Sequence, residues 1–232
     1  MASPNVVRIL YVRGGESEAE IRRELSFRAA DGGLTEHGRA QAEQVARALA
    51  ALPGFDFHAE IMSSPAKRSM ETASVLASHL GLTVVADERL RNIDVGELDG
   101  RSDEEAWRTY TEIVERRWAA GEWSRRFPAG ENLRNLSQRL RSALLQAARP
   151  EVGSQRGDVL IVGDGVALRV ALPYLIKNVE DAYPHDDMAP CAVTCFYASP
   201  RVRPSVLRMP AWNLAAPALA GLDRLDRASW EF

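Results

Sequence analysis

Histidine and cysteine are scarce in this chain, which carries four histidines and two cysteines among 232 residues. That scarcity narrows the chemistry. Neither a Cys-x-x-Cys pair nor a histidine-rich cluster occurs, so no metal site is expected, and nothing else calls for a cofactor. Cys191 and Cys195 share the strand-like run CAVTCFYAS. Their separation along an extended chain is roughly 13 Å, beyond the reach of a disulfide, so buried free thiols are expected. No run of about 18 apolar residues is present, which excludes a membrane-spanning helix. The opening MASPNVVR has no apolar stretch of signal-peptide length, and a cytoplasmic location is the expectation. An excess of one charge is missing as well. With 29 Lys and Arg against 32 Asp and Glu the formal net charge is −3, which offers nucleic acid no general attraction.

What the chain does have is alternation. Apolar strand-like runs recur at 6–12, 59–64, 82–87, 158–163, 192–198 and 204–210, with helical patterns between most of them. One helix is expected near 35–52, with Thr35 as N-cap and Ala42, Val45, Ala46 and Leu49 at three- and four-residue spacing. A second is expected after Pro65, stopping at Gly81, and a third over 166–176, interrupted or kinked at Pro173. This order predicts an α/β fold: three layers, αβα, around a mostly parallel sheet of about six strands with helices on both faces. A single domain is expected over 1–210. It would carry a Trp-rich helical insert at about 101–130, where Trp107, Tyr110, Val114 and Trp118 fall on one helical face. Residues 211–232 read as a C-terminal tail without a clear period. The insert's apolar face and the tail both permit a homodimer.

Ligands in such sheets bind beyond the carboxyl ends of the strands. That rule singles out RGGE after the first strand, SSPAKR after the second and GDG after the fourth. Together with LTEHGRAQAEQVARAL, ERLRNIDVGELDG and FPAGENLRNLSQRL, these loops resemble the histidine phosphatase superfamily, the phosphoglycerate mutase-like proteins. The resemblance spreads over most of residues 6–200. It implies a phosphoglycerate mutase-like fold and a site for phosphoryl transfer, in which one imidazole attacks phosphorus and a carboxylate protonates the leaving oxygen. Two arginines and a second histidine then hold the phosphoryl charge.

Carried over residue by residue, the resemblance makes Arg13 and Arg68 the two anion-binding arginines and Glu16 the glutamate of the first motif. The other three positions depart from the pattern. Gly14 stands where the nucleophile belongs, Asn92 where the proton donor belongs, and Asp164 where the second histidine belongs. Glycine cannot carry a phosphoryl group, and an aspartate beside the arginines disfavours a dianion. Of the four histidines, His37 and His79 fall in helical patterns, His58 opens a strand, and only His185, in YPHDD, has a route to the pocket.

The expected site therefore comprises Arg13, Gly14, Gly15, Glu16, Arg68, Asn92, Glu97 and Gly165 as ligand-binding residues, with Asp164 as the candidate catalytic group. Asp164 either pairs with Arg13 or Arg68 in place of a phosphate, or serves a new substrate as general base. Three functions remain open. The chain is a pseudo-phosphatase that binds a small anionic or carboxylate metabolite or a protein partner, a repurposed enzyme using Asp164 with the two arginines, or a weak phosphatase with an unanticipated nucleophile.

Overall fold

A computed structural model describes residues 6–27, 32–149, 157–176, 186–199 and 206–224. His185 lies outside the described residues.

The layering follows from the alternation of β1 (Val7–Arg13), in which Ile9, Leu10, Tyr11 and Val12 are all buried. Successive side chains of a strand point to opposite faces, so a strand apolar on both faces needs cover on both. Ile9 and Tyr11 share one core with Leu136 and Leu140 of α5 (Leu133–Ala147) and Leu168 of α6 (Gly165–Leu175). Leu10 and Val12 share the other with Val45 and Leu49 of α2 (Glu36–Ala50) and Leu76 of α3 (Lys67–Leu80). Full burial of each such side chain is worth about 1.5–3 kcal/mol.

The sheet also contains β2 (Phe57–Ser63), β3 (Thr83–Ala86), β4 (Asp158–Gly163), β5 (Val193–Ser199) and β6 (Val206–Leu214), in the order β3-β2-β4-β1-β5-β6. β1 pairs parallel with β4, β4 with β2 and β2 with β3, while β5 runs antiparallel to β1 and to β6. The expected three-layer architecture with a mostly parallel six-stranded sheet is present. Arg13 pairs with Gly163, and Ser63 with Val162, so the loops after β1, β2 and β4 open along one edge.

Helix boundaries have local causes. The Thr35 hydroxyl accepts the Gly38 N–H at 2.9 Å to cap α2, and Gly81, at φ 70°, ends α3 in the left-handed region. Pro65 lies just before α3 and outside its first turn, because the helix starts at Lys67 behind Ala66.

Three further details differ from expectation. Cys191 sits in a turn at φ 56°, ahead of β5 and not on the strand with Cys195, although both thiols are free and buried. β6 runs to Leu214, so the boundary placed at 211 falls inside a strand. A 3-10 helix, Ala216–Arg224, follows and buries Leu219 and Leu222, three residues apart, in the α2–α3 core. In the insert, α4 (Glu104–Thr111) continues as π-helical turns over Glu112–Trp118. The wider turns bury Ile113, Val114 and Trp118 together, while Trp107 and Tyr110 stay half-buried. Among the described residues, no helix is long and apolar enough to cross a membrane.

Candidate functional site

Three strand ends converge on one cavity of about 350 Å3. Arg13 is the last residue of β1, Arg68 stands in the first turn of α3 after β2, and Asp164 follows β4 as the N-cap of α6. All three line the cavity, with Asn92 beside them.

Asp164 is 9% exposed, and both of its carboxylate oxygens are engaged. Oδ1 accepts the Ala167 N–H at 2.8 Å, which caps α6, and Oδ2 accepts Arg68 Nη2 at 3.2 Å. The Tyr11 hydroxyl donates to the Asp164 carbonyl at 3.0 Å. Burial first, and then the Asp164 charge, hold that hydroxyl well above the usual tyrosine range.

Arg13 has a carboxylate partner of its own. Nη2 donates to Glu20 Oε1 and Nη1 to the Met188 carbonyl. Glu20 belongs to the short helix α1 (Glu18–Ile21) and is positioned by a capping box. Its Oε2 accepts the Ser17 N–H at 3.0 Å, and Ser17 Oγ accepts the Glu20 N–H at 3.3 Å. The residue-by-residue reading passed over Glu20. The signal for it was local: Ser17 followed three residues later by Glu20, directly behind RGGE.

Gly14 donates its N–H to the Gly163 carbonyl at 3.0 Å. A Cβ built on it would meet Ser69 Oγ at 3.5 Å and Arg68 Cγ at 3.6 Å, ordinary van der Waals contact. Packing does not demand glycine here. Ser69, 1% exposed, directs its hydroxyl toward this space and has no hydrogen-bond partner for it among the described residues. Gly15 is the opposite case, since its Cβ would come 2.6 Å from the Gly38 carbonyl oxygen, where the loop rests on α2.

Several expected residues do not reach the cavity wall. Glu16 accepts the Thr35 hydroxyl at 2.6 Å and donates its N–H to Gln41 Oε1 at 3.0 Å, which commits it to the start of α2. Gly165 opens α6 against Arg13, whose Cδ would lie 2.7 Å from an added Cβ. Glu97 is exposed on a 3-10 turn, Gly96–Leu98, outside the cavity lining, because the turn packs by its backbone on Pro128 and leaves the side chain in solvent. The neighbouring Asp99 carboxylate accepts the Phe27 N–H at 2.7 Å.

Asn92 does line the cavity, but its amide is engaged. Nδ2 donates to the Ser26 carbonyl at 3.2 Å, and Oδ1 accepts the Ile93 N–H at 2.7 Å. Arg139 fixes the surrounding loop by donating to the carbonyls of Arg89, Arg91 and Asn92 at 2.6–2.8 Å.

The insert supplies the far wall through Trp107, Tyr110, Thr111 and Glu115. Arg169 ties this wall to the body of the protein, donating to Glu115 at 2.7 Å and to Asp187 at 2.6 Å. Burial first, then Asp164, Glu115 and Asp187, push the Tyr110 hydroxyl up, so it remains a neutral donor. Five carboxylates line the cavity, Glu20, Glu24, Glu115, Asp164 and Asp187, against two arginines. The site is an arginine pocket filled by the protein's own carboxylates. Among the described residues, no group of three or more His, Cys, Asp or Glu side chains is placed to hold a metal ion.

This three-layer fold around a mostly parallel six-stranded sheet is that of the phosphoglycerate mutase-like proteins. Residues 9–208 match the model of the histidine phosphatase superfamily (branch 1), and the chain belongs to that superfamily. It is 32% identical over 169 residues to the "Probable phosphoglycerate mutase GpmB" of Klebsiella pneumoniae, covering 70% of this chain and 72% of that protein. Among solved structures it resembles the phosphoglycerate mutase of Bacillus anthracis, with a TM-score of 0.73 at 17% identity, covering 94% of this chain and 97% of that one. A mycobacterial glucosyl-3-phosphoglycerate phosphatase matches with a TM-score of 0.67 at 22% identity, covering 90% and 99%. At such identities the two structures speak for the fold alone.

Proposed function

We propose that this chain is a member of the superfamily that has given up phosphohistidine transfer and binds a small carboxylate-bearing metabolite in the former phosphate pocket. The observation that carries the reading is the Asp164 carboxylate on Arg68, beside a Gly14 that has no side chain. Asp164 and Glu20 occupy the guanidinium groups as a phosphate's oxygens would, and a dianion entering among five carboxylates meets repulsion. A carboxylate meets less, and it has a place to go. The Arg13–Glu20 pair is the more open of the two, at 18% and 36% side-chain exposure, so a ligand carboxylate exchanges with Glu20 at little cost. The hydroxyl of Tyr110 and the face of Trp107 receive the rest of the molecule. Use of Asp164 as a general base is the weaker alternative, because both oxygens already serve the fold.

Calorimetric titration with acetate, benzoate and inorganic phosphate, beside a p-nitrophenyl phosphate assay, tests the reading. The expected result is saturable carboxylate binding that disappears in Arg13→Ala, with no phosphate release. Phosphate release by the parent protein, lost in Arg68→Ala, would overturn it.

A further inference from the structure

A second concavity of about 730 Å3 lies on the outer side of the insert, and its charge is the reverse of the first. Five arginines line it, Arg23, Arg108, Arg116, Arg125 and Arg126, against two glutamates, Glu104 and Glu112. The two glutamates are used locally, Glu104 by Arg108 at 3.4 Å and Glu112 by Arg116 at 3.3 Å, both one helical turn away. Arg126 donates to the Gly130 carbonyl at 2.7 Å and to Asn135 at 2.8 Å. Arg23 and Arg125 have no carboxylate partner among the described residues, and both guanidinium groups are exposed.

The floor is apolar and fixed. Trp107 lies in it with Ile113 and Pro128, and its Nε1 donates to the Arg23 carbonyl at 2.6 Å. The Arg23 guanidinium stands 5.8 Å from the Trp107 ring centre, a cation held over an aromatic face. Arg23 itself adopts φ 53°, the left-handed region that an arginine rarely enters, at the end of α1. An excess of guanidinium groups around an aromatic and aliphatic floor, in a volume within the range of about 300–1,000 Å3 typical of small-molecule sites, defines the complementary ligand. Forked N–H donors suit phosphate and carboxylate oxygens, and the indole face suits a planar body.

We infer that this groove is a second binding site, for a phosphorylated small molecule that carries at least two negative charges next to a planar or apolar body. The proposal does not rest on the function assigned to the first cavity. Trp107 and Thr111 form the wall common to both spaces, so the test must separate them.

Isothermal titration with inorganic pyrophosphate supplies the charge alone, and titration with ADP, without divalent metal, supplies charge and ring together. The expected result is saturable ADP binding that weakens as salt rises from about 50 to 300 mM, as contacts between exposed charges do. Arg23→Gln/Arg125→Gln should lose at least about tenfold in affinity, since two forked cationic donors are removed together. Arg13→Ala should leave ADP binding unchanged. Pyrophosphate binding equal to that of ADP would overturn the assignment of a planar or apolar body to the ligand. The proposal is overturned if neither probe binds the parent protein in low salt, if the double variant binds as the parent does, or if Arg13→Ala removes the binding and so moves it to the first cavity. The substituted side chains are exposed, and circular dichroism would verify that the double variant folds.

Discussion

Arg68 Nη2 stands 3.2 Å from Asp164 Oδ2, and the partner oxygen of the same carboxylate caps α6 through the Ala167 N–H. One side chain therefore neutralises the pocket and starts a helix, and two substitutions separate these roles. Asp164→Asn keeps an oxygen for the cap and removes the charge. We expect it to fold with a stability loss of about 1–2 kcal/mol, from the weakened charged hydrogen bond, and to bind inorganic phosphate about tenfold more tightly than the parent. Asp164→Ala also loses the cap, which adds about 1 kcal/mol to the loss. Urea denaturation and calorimetry read the two effects. Equal phosphate affinity in parent and Asp164→Asn would show that the carboxylate is not what keeps phosphate out.

Adjacent glycines at the end of β1 should respond oppositely to a methyl group. Gly14→Ala places Cβ at 3.5 Å from Ser69 Oγ and should melt within a few degrees of the parent, whereas Gly15→Ala collides with the Gly38 carbonyl and should cost about 1–3 kcal/mol. The same room makes a restoration experiment possible. Gly14→His/Asn92→Glu/Asp164→His returns the three side chains that the family resemblance implies. Turnover of p-nitrophenyl phosphate should rise about 10²–10⁴-fold above the parent background. No rise in a folded triple variant would place the loss of chemistry elsewhere in the pocket.

The sequence made the scaffold legible and the electrostatics of the site only in part. The unbroken apolar run within Val7–Arg13 marks a strand covered on both faces, and the spacing of Ala42, Val45 and Leu49 marks the buried face of α2. Arg13, Arg68, Asn92 and Asp164 come together because they sit at strand ends and loops that the fold places along one edge. Glu20 was missed because a carboxylate four residues past a motif reads as an exposed helix residue until its capping box bends it toward Arg13. Glu97 was included because it lies close to Asn92 in the chain, but the intervening turn directs it to solvent. The pairing of Arg169 with Glu115 and Asp187 bridges 54 and 18 residues of chain, which no local pattern encodes.

Alkaline pH should unfold the protein partly through Cys191. Burial foremost, with Glu20 adding and Arg13 opposing, pushes its thiol up from 9.0 to about 12. Above pH 9 the unfolded thiol has lost its proton while the folded one keeps it, so the native state binds more protons and stability falls as pH rises. The slope for one such group approaches about 1.4 kcal/mol per pH unit. Tyr11 and Tyr110, also raised by burial, contribute in the same direction at higher pH, so the window for Cys191 alone is pH 9–10. Urea midpoints measured at intervals across that window should fall in the parent and fall less in Cys191→Ala. Identical slopes would remove Cys191 from the alkaline transition.

At the opposite end of the sheet from the cavity, Arg8 and Asp158 form a buried bidentate pair, with Nε to Oδ1 at 3.0 Å and Nη2 to Oδ2 at 2.6 Å. Their side chains are 5% and 0% exposed, and the Arg8 guanidinium lies 3.4 Å from the Phe55 ring centre. Asp158 also accepts the Asp56 N–H at 3.3 Å, so the pair locks the first residues of β1 and β4 to the turn before β2. Removing one partner leaves a charge in a dry place. Arg8→Met and Asp158→Leu should each cost about 3–5 kcal/mol, while the double substitution should cost much less than their sum, because no charge is then stranded. Chemical denaturation of the four proteins gives the coupling directly. Carboxylate binding at Arg13 should persist in Arg8→Met at temperatures where that variant is folded, since the two arginines lie at opposite ends of β1; simple additivity of the two losses would mean that the pair is held by its neighbours and not by its own charge.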